Sequence, residues 1–198
     1  VKVKEQDDTI EVFYPSGTTI TFYADASQKV YTTPGTDDIL RSTEDENTYH
    51  LIRGDNSVYV YEFLYQENNS NGDENQNEIE IETEKDDLRL TQIIDRYGNV
   101  INIENKFDNT LEKYRVEKIS DNSGRFIEFE YNDEGRIIQV IDPAGRTSRY
   151  IYEGDNLVEV IDLEGKSTKY TYYELTEEGK VNGSLLKEIY DANGNRSI

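Results

Sequence analysis

Ile137-Ile138-Gln139-Val140-Ile141-Asp142-Pro143-Ala144-Gly145-Arg146, followed by Thr147-Ser148-Arg149-Tyr150-Ile151-Tyr152, decides how this chain is read. Branched apolar residues gather before an Asp-x-x-Gly step, and two tyrosines spaced by two come after it. Residues two apart in a strand share a face, so both rings point the same way. Asp accepts backbone amides in an Asx-type turn and Gly supplies a positive φ. The segment therefore reads as strand, tight turn, strand.

The same pattern is written four more times, at Leu90–Asp95, Val116–Asp121, Leu157–Asp162 and Leu186–Asp191, with glycines at Gly98, Gly124, Gly165 and Gly194. Aromatic pairs follow two of these copies as well, Phe129 with Tyr131 and Tyr170 with Tyr172. A second turn, Asn132-Asp133-Glu134-Gly135 or Glu153-Gly154-Asp155-Asn156, restarts the cycle. Each unit is an up-and-down pair of strands. The longer intervals hold Asn105 to Lys113 and Glu174 to Ser184, assigned to extended hairpin tips. No sustained helical period occurs. A tandem unit of about twenty residues builds surfaces and containers more often than active sites.

Upstream of the array the strand signals are less regular. Glu11–Tyr14, the turn Pro15-Ser16-Gly17 and Thr18–Tyr23 predict a hairpin. Val58 to Tyr65 reads as a strand with Tyr59, Tyr61, Phe63 and Tyr65 on one face, Val58, Val60 and Leu64 on the other, and both faces in contact with something. Gln66 to Gln76 has no apolar residue and reads as a surface loop. Glu78–Glu84 alternates strictly, with Ile79 and Ile81 inward.

Of 198 residues, 34% are hydrophobic; 16 are Tyr, and Trp, Met and Cys are absent. Tyrosine covers apolar neighbours while its hydroxyl stays wet, so a thin sheet-built wall suits this composition better than a thick core. The lack of Met and the Asp191–Arg196 ending inside a repeat lead us to expect a slice of a longer array. A formal net charge of -21 makes nucleic acid and anionic lipid poor partners. No apolar stretch approaches membrane-spanning length, and the first residues are not a signal peptide.

Leu90–Asn99, Tyr131–Ile137 and Asp142–Arg146 together resemble the unit of the Rhs/YD-repeat family. The family includes bacterial Rhs and wall-associated toxins, shell subunits of insecticidal toxin complexes, and teneurins. The resemblance covers residues 88–198 well and residues 1–87 weakly. It implies a long antiparallel sheet spiralling into a hollow shell, which in bacterial members encloses a variable C-terminal toxin. The signature Tyr-Asp is Tyr131-Asn132 and Tyr152-Glu153 here, and survives as Tyr190-Asp191. Asp142-Pro143-Ala144-Gly145-Arg146 shares the start of a self-cleavage segment found in such shells but lacks its Leu, so it reads as an ordinary turn.

Candidate chemistry is sparse. The 42 carboxylates allow many glycosidase-like pairs, yet repeat position ties the aspartates to turns. His50 is the one imidazole and has neither a Gly-x-Ser-x-Gly elbow nor metal-ligand partners. Asp121-Asn122, Asn132-Asp133-Glu134 and Asp73-Glu74-Asn75 could hold calcium but lack the twelve-residue ligand loop. The tyrosine ladder is expected to pack Tyr over Tyr between hairpins. Arg125, Arg136, Arg146 and Lys166 are expected to pair with carboxylates or cap turns.

The expectation is an all-β chain of tandem β-hairpin YD repeats forming a twisted antiparallel sheet, a segment of a larger spiral β-shell, with apolar and aromatic side chains on a covered face. Residues 1–87 would be an irregular strand region with a polar loop at 66–77, and 88–198 the repeat array. By the resemblance, the chain would be a shell segment of a secreted or cell-surface polymorphic toxin, from a Gram-positive bacterium, with the C-terminal toxin domain of the same polypeptide as its partner. No catalytic, cofactor-binding or metal-binding residue, no cofactor, no nucleic-acid partner and no membrane insertion are expected, and the fragment would be monomeric. The alternative is a cell-surface adhesion or carbohydrate-binding module using Tyr150, Tyr152, Tyr170 and Tyr172.

Overall fold

The structure, a computed structural model, describes residues 2–6, 9–13, 18–25, 29–43, 47–64, 88–173 and 185–197. The 66–77 loop, the Glu78–Glu84 strand, the Pro15-Ser16-Gly17 turn and the Glu174–Ser184 tip lie outside them. Every element among the described residues is a strand. They are β1 Lys2–Gln6, β2 Thr9–Phe13, β3 Thr19–Asp25, β4 Val30–Thr32, β5 Ile39–Ser42, β6 Thr48–Ile52, β7 Val58–Phe63, β8 Leu88–Ile94 and β9 Val100–Asp108, then β10 Lys113–Asp121, β11 Phe126–Tyr131, β12 Ile137–Ile141, β13 Thr147–Glu153, β14 Asn156–Ile161, β15 Ser167–Tyr172, β16 Leu186–Tyr190 and β17 Arg196–Ser197. The chain is all-β, as the repeats predict. Contacts divide it into two compact units, Val1–Phe107 with Ser120–Gly124, and Asp108–Ile119 with Arg125–Ile198.

The first unit is an antiparallel meander in which each strand from β1 to β9 pairs with the next. The predicted hairpin is β2–β3, with Ile10 opposite Phe22 and Val12 opposite Ile20. Across the sheet the inward row continues through Tyr31 opposite Leu40, Leu40 opposite Leu51, and Leu51 opposite Tyr59. Ile10, Val12, Phe22, Leu40, Tyr49, Leu51, Tyr61 and Leu88 form one buried cluster, with Ile20, Tyr31, Tyr59, Phe63 and Leu90 packed on it. A flat single layer cannot remove Phe22 and Leu40 from solvent altogether. Here β8 also approaches β1, so the meander curves and fills its own inner face. Val60, on the opposite side of β7 from Tyr61, is buried too, which bears out the two-sided contact expected of that strand.

The second unit is built of the repeats: β11 through β17 pair in order, all antiparallel. Its apolar motif carries branched residues three apart, Ile137 and Val140, Leu157 and Val160, Leu186 and Ile189. In a regular strand that spacing would put them on opposite faces. The structure resolves the conflict with a bulge in each of these three copies. Tyr131 faces Ile137 while Glu130 faces Gln139, leaving Ile138 as the extra residue. Val158 and Lys187 are extra in the next two copies in the same way. The same step recurs in the first unit, where Tyr61 faces Leu90 and Val60 faces Gln92, leaving Thr91 over. A bulge adds one residue without a partner and re-aims its neighbours, so both branched residues reach the aromatic side. Three quartets result on one face: Phe129, Tyr131, Ile137 and Val140; Tyr150, Tyr152, Leu157 and Val160; Tyr170, Tyr172, Leu186 and Ile189. The other face is mixed: Glu159 stands opposite Lys169 and Lys118 Nζ lies 2.7 Å from Glu128, while Ile141, Ile151 and Ile161 share it.

Two expectations change here. Each aromatic faces an aliphatic partner, Phe129 to Val140, Tyr150 to Val160 and Tyr170 to Ile189, so the rings pack on branched side chains rather than Tyr over Tyr. Antiparallel register sets this, because the motif strand and the aromatic strand alternate across the sheet. The aromatic face was also expected to be covered. Among the described residues every buried core side chain belongs to β2–β8, while the repeat strands β10–β17 have none. Asn105 to Lys113 is less of a tip than predicted: Asn105 to Asp108 extend β9, and Asn109 to Glu112 make the turn.

Candidate functional site

The Asp-x-x-Gly steps share one geometry. Gly145 N–H donates to the Asp142 carbonyl at 2.9 Å, and Asp142 N–H donates to Arg146 O at 3.0 Å. Asp142 Oδ1 accepts the amides of Ala144 and Arg146, each at 2.9 Å. Gly145 has φ 74°, the left-handed value that closes a type I turn with a glycine bulge. Asp95, Asp162 and Asp191 repeat this arrangement. On the opposite edge Asn132 takes the same part, its Oδ1 accepting Arg136 N at 2.9 Å. This is the position of the family's signature Asp. Glu153 pairs directly with Asn156, and Gly154 at φ 55° makes the two-residue alternative.

The carboxyls of Asp95, Asp142 and Asp191 are held below the ordinary Asp value of 3.8 by bonds to their charged form. The Asn99 amide is the main cause for Asp95, Arg146 for Asp142, and Asn195 for Asp191. A group whose folded pKa is depressed contributes stability present above its unfolded pKa and lost as pH falls through the folded one. Thermal stability is therefore expected to drop as pH falls below 3.8, with Asp142 titrating by NMR below that value. An Asp142 midpoint at or above it would remove this turn from the acid response.

Three tyrosine hydroxyls make an equivalent bond that the sequence did not announce. Tyr131 Oη donates to Val116 O at 2.6 Å, Tyr152 Oη to Ile137 O at 3.0 Å, and Tyr172 Oη to Leu157 O at 2.8 Å. Ile137 and Leu157 immediately precede the extra residue of their bulges, where the ladder is interrupted, so each phenol satisfies a carbonyl the sheet has released. Burial raises the Tyr131 phenol above 10.0, Arg115 opposing it more weakly. The constant separation of fifteen residues was the available signal. Tyr172→Phe removes one such donor while keeping the ring, and is expected to cost about 1 kcal/mol. An unchanged denaturation midpoint would show that water serves the carbonyl equally well.

Guanidinium groups close the same edge. Arg115 lies 4.5 Å from the Tyr131 ring centre and pairs with Asp108. Arg136 lies 5.5 Å over Tyr152, donates to Gly154 O and pairs with Asp155. Arg146 pairs with Asp142 and Lys166 with Glu164, as expected of cations following turn glycines. An open cleft of about 380 Å³ is lined by Asn132, Glu134, Arg136, Tyr152, Gly154 and Asp155.

The remaining candidates do not converge. His50 stands in β6 opposite Arg41 and Val60. Asp121 and Asn132 spend their side-chain oxygens on the backbone amides of Ser123 and Arg136, and Asp73-Glu74-Asn75 lies outside the described residues. Among the described residues no three His, Cys, Asp or Glu side chains are grouped to hold a metal ion. No helix there is long and apolar enough to cross a membrane.

Repeated bulged hairpins with one uncharged face define a tandem β-repeat protein. The family model described as RHS Repeat matches residues 115–147 and again 131–167, two overlapping copies centred on β10–β15. Residues 115–167 are thus repeats of the Rhs/YD family. No curated protein matches the chain.

Proposed function

We propose that this chain is a structural segment of the shell of a secreted or cell-surface Rhs/YD-repeat polymorphic toxin, which encloses and carries a C-terminal toxin domain of the same polypeptide. The observation that carries the reading is the aromatic–aliphatic face of β11–β16. It is built to one plan in three successive hairpins, yet none of its twelve quartet side chains is fully buried. Natural surfaces seldom leave such a face without a use, and a wall lining that meets cargo is one. The segment acts without catalysis. Asp95, Asp142 and Asp191 spend their carboxylates on the amides of their own turns, which supports a structural role for them.

Limited proteolysis of the complete polypeptide tests this. The domain following the repeats should resist protease while the shell is intact, and be digested when produced alone. Equal digestion rates in both settings would defeat the proposal. The carbohydrate-binding alternative has less behind it, since Tyr152 and Tyr172 commit their hydroxyls to backbone carbonyls. Saturable glycan binding, abolished by Tyr150→Ala and Tyr170→Ala in a still-folded chain, would restore it.

A further inference from the structure

We infer that the aromatic–aliphatic face of β11–β16 is a self-association surface, through which two copies of this chain pack face to face.

The first ground is charge. The chain carries -21 overall, but none of the twelve quartet side chains is charged. The guanidiniums at the edge of the face, Arg115 and Arg136, already have Asp108 and Asp155 as partners. Two copies meeting here bring no like charges into direct contact, and the ionised residues of β11–β16 lie on the opposite face, where salt screens them. A strongly cationic or anionic partner has nothing on this face to pair with.

The second ground is desolvation. The quartets' polar atoms are largely phenol oxygens, and those of Tyr131, Tyr152 and Tyr172 already donate to Val116, Ile137 and Leu157 carbonyls. Covering the face strands few donors, so the usual penalty for drying polar groups is small.

The third ground is shape and size. Aromatic strands β11, β13 and β15 alternate with aliphatic strands β12, β14 and β16, so tall ridges recur every second strand, about 10 Å apart. A two-fold related copy displaced by one strand sets its ridges into these troughs, a self-complementary contact of the kind sheets make at about 10 Å separation. Six strands about 4.8 Å apart and five residues long give a footprint on the order of 500 Å² per copy. Doubled, this reaches the roughly 1,000 Å² at which a specific interface begins. The inference departs from the monomer expected of the fragment, and it does not depend on what the complete polypeptide carries.

Sedimentation equilibrium of the chain at physiological salt, up to about 100 µM, tests it, with monomer–dimer association expected in that range. Thr168 lies directly opposite Val160 on the same face, and Thr171 opposite Glu188 on the other face of the sheet. Thr168→Lys adds a charge while leaving every apolar contact in place, and should weaken association at least about tenfold. Val160→Asp should do the same, with circular dichroism confirming that the sheet persists. Thr171→Lys should leave association unchanged. A chain that stays monomeric throughout overturns the inference. So does a dimer that ignores Thr168→Lys, or one that Thr171→Lys weakens equally.

Discussion

Phe22→Ala is expected to destabilise the first unit by about 3–5 kcal/mol, a large share of what a domain of this size has to spare. Phe22 is fully buried, opposite Ile10, in the one cluster that gathers side chains from β2, β3, β5, β6, β7 and β8. Deleting its ring leaves a cavity that surrounding strands, held by their ladders, close only in part. The contrast is Tyr150→Ala in the repeats. That ring is only partly buried, so its loss should cost less than about 2 kcal/mol. Urea denaturation followed by fluorescence and by circular dichroism compares the two. Equal losses would mean that the stability of the chain is not concentrated in β2–β8.

The second large effect belongs to a glycine on the signature edge. Gly135→Val should cost about 2–4 kcal/mol, and Gly145→Val about 1–3 kcal/mol. Both glycines hold left-handed backbone, at φ 76° and 74°, where a branched side chain is strained. They differ in surroundings. A Cβ at Gly145 meets nothing within 4 Å, whereas one at Gly135 would stand 2.5 Å from Leu111 Cδ1. Leu111 belongs to the β9–β10 turn and would have to swing away. Thermal melts of both variants separate conformational strain from crowding. If Gly145→Val melts with the parent, the positive φ is not required there.

Much of the repeat unit was legible because its residues are tied to local geometry. Asp142 and Gly145 identify their turn without help from the rest of the chain, and the spacing of Tyr150 and Tyr152 fixes a shared face. The bulge was legible in principle, since Leu157 and Val160 stand three apart, but alternation alone cannot say which residue is extra. The register of β13 on β14 decides that Val158 is. The Tyr172 bond to Leu157 O depends on the same register and was invisible for the same reason. The core was the least readable part. Ile10, Phe22, Leu40 and Leu51 come from short strands without a common period, and only curvature of the whole meander brings them together. For the interaction face, sequence identified the aromatic residues, while their lack of cover is a tertiary fact.

Hydroxyl-radical footprinting of Tyr150 and Tyr170 addresses the proposed role of that face most directly. It compares this chain, diluted below its association range, with the longer shell polypeptide that the proposed function assigns it to. The account predicts ready oxidation of both rings in the dilute chain and strong protection in the complete polypeptide, with exposed Tyr97, on the Asp95 turn, oxidised alike in both. Equal oxidation of Tyr150 and Tyr170 in the two settings would contradict it, because a wall whose lining stays wet encloses nothing.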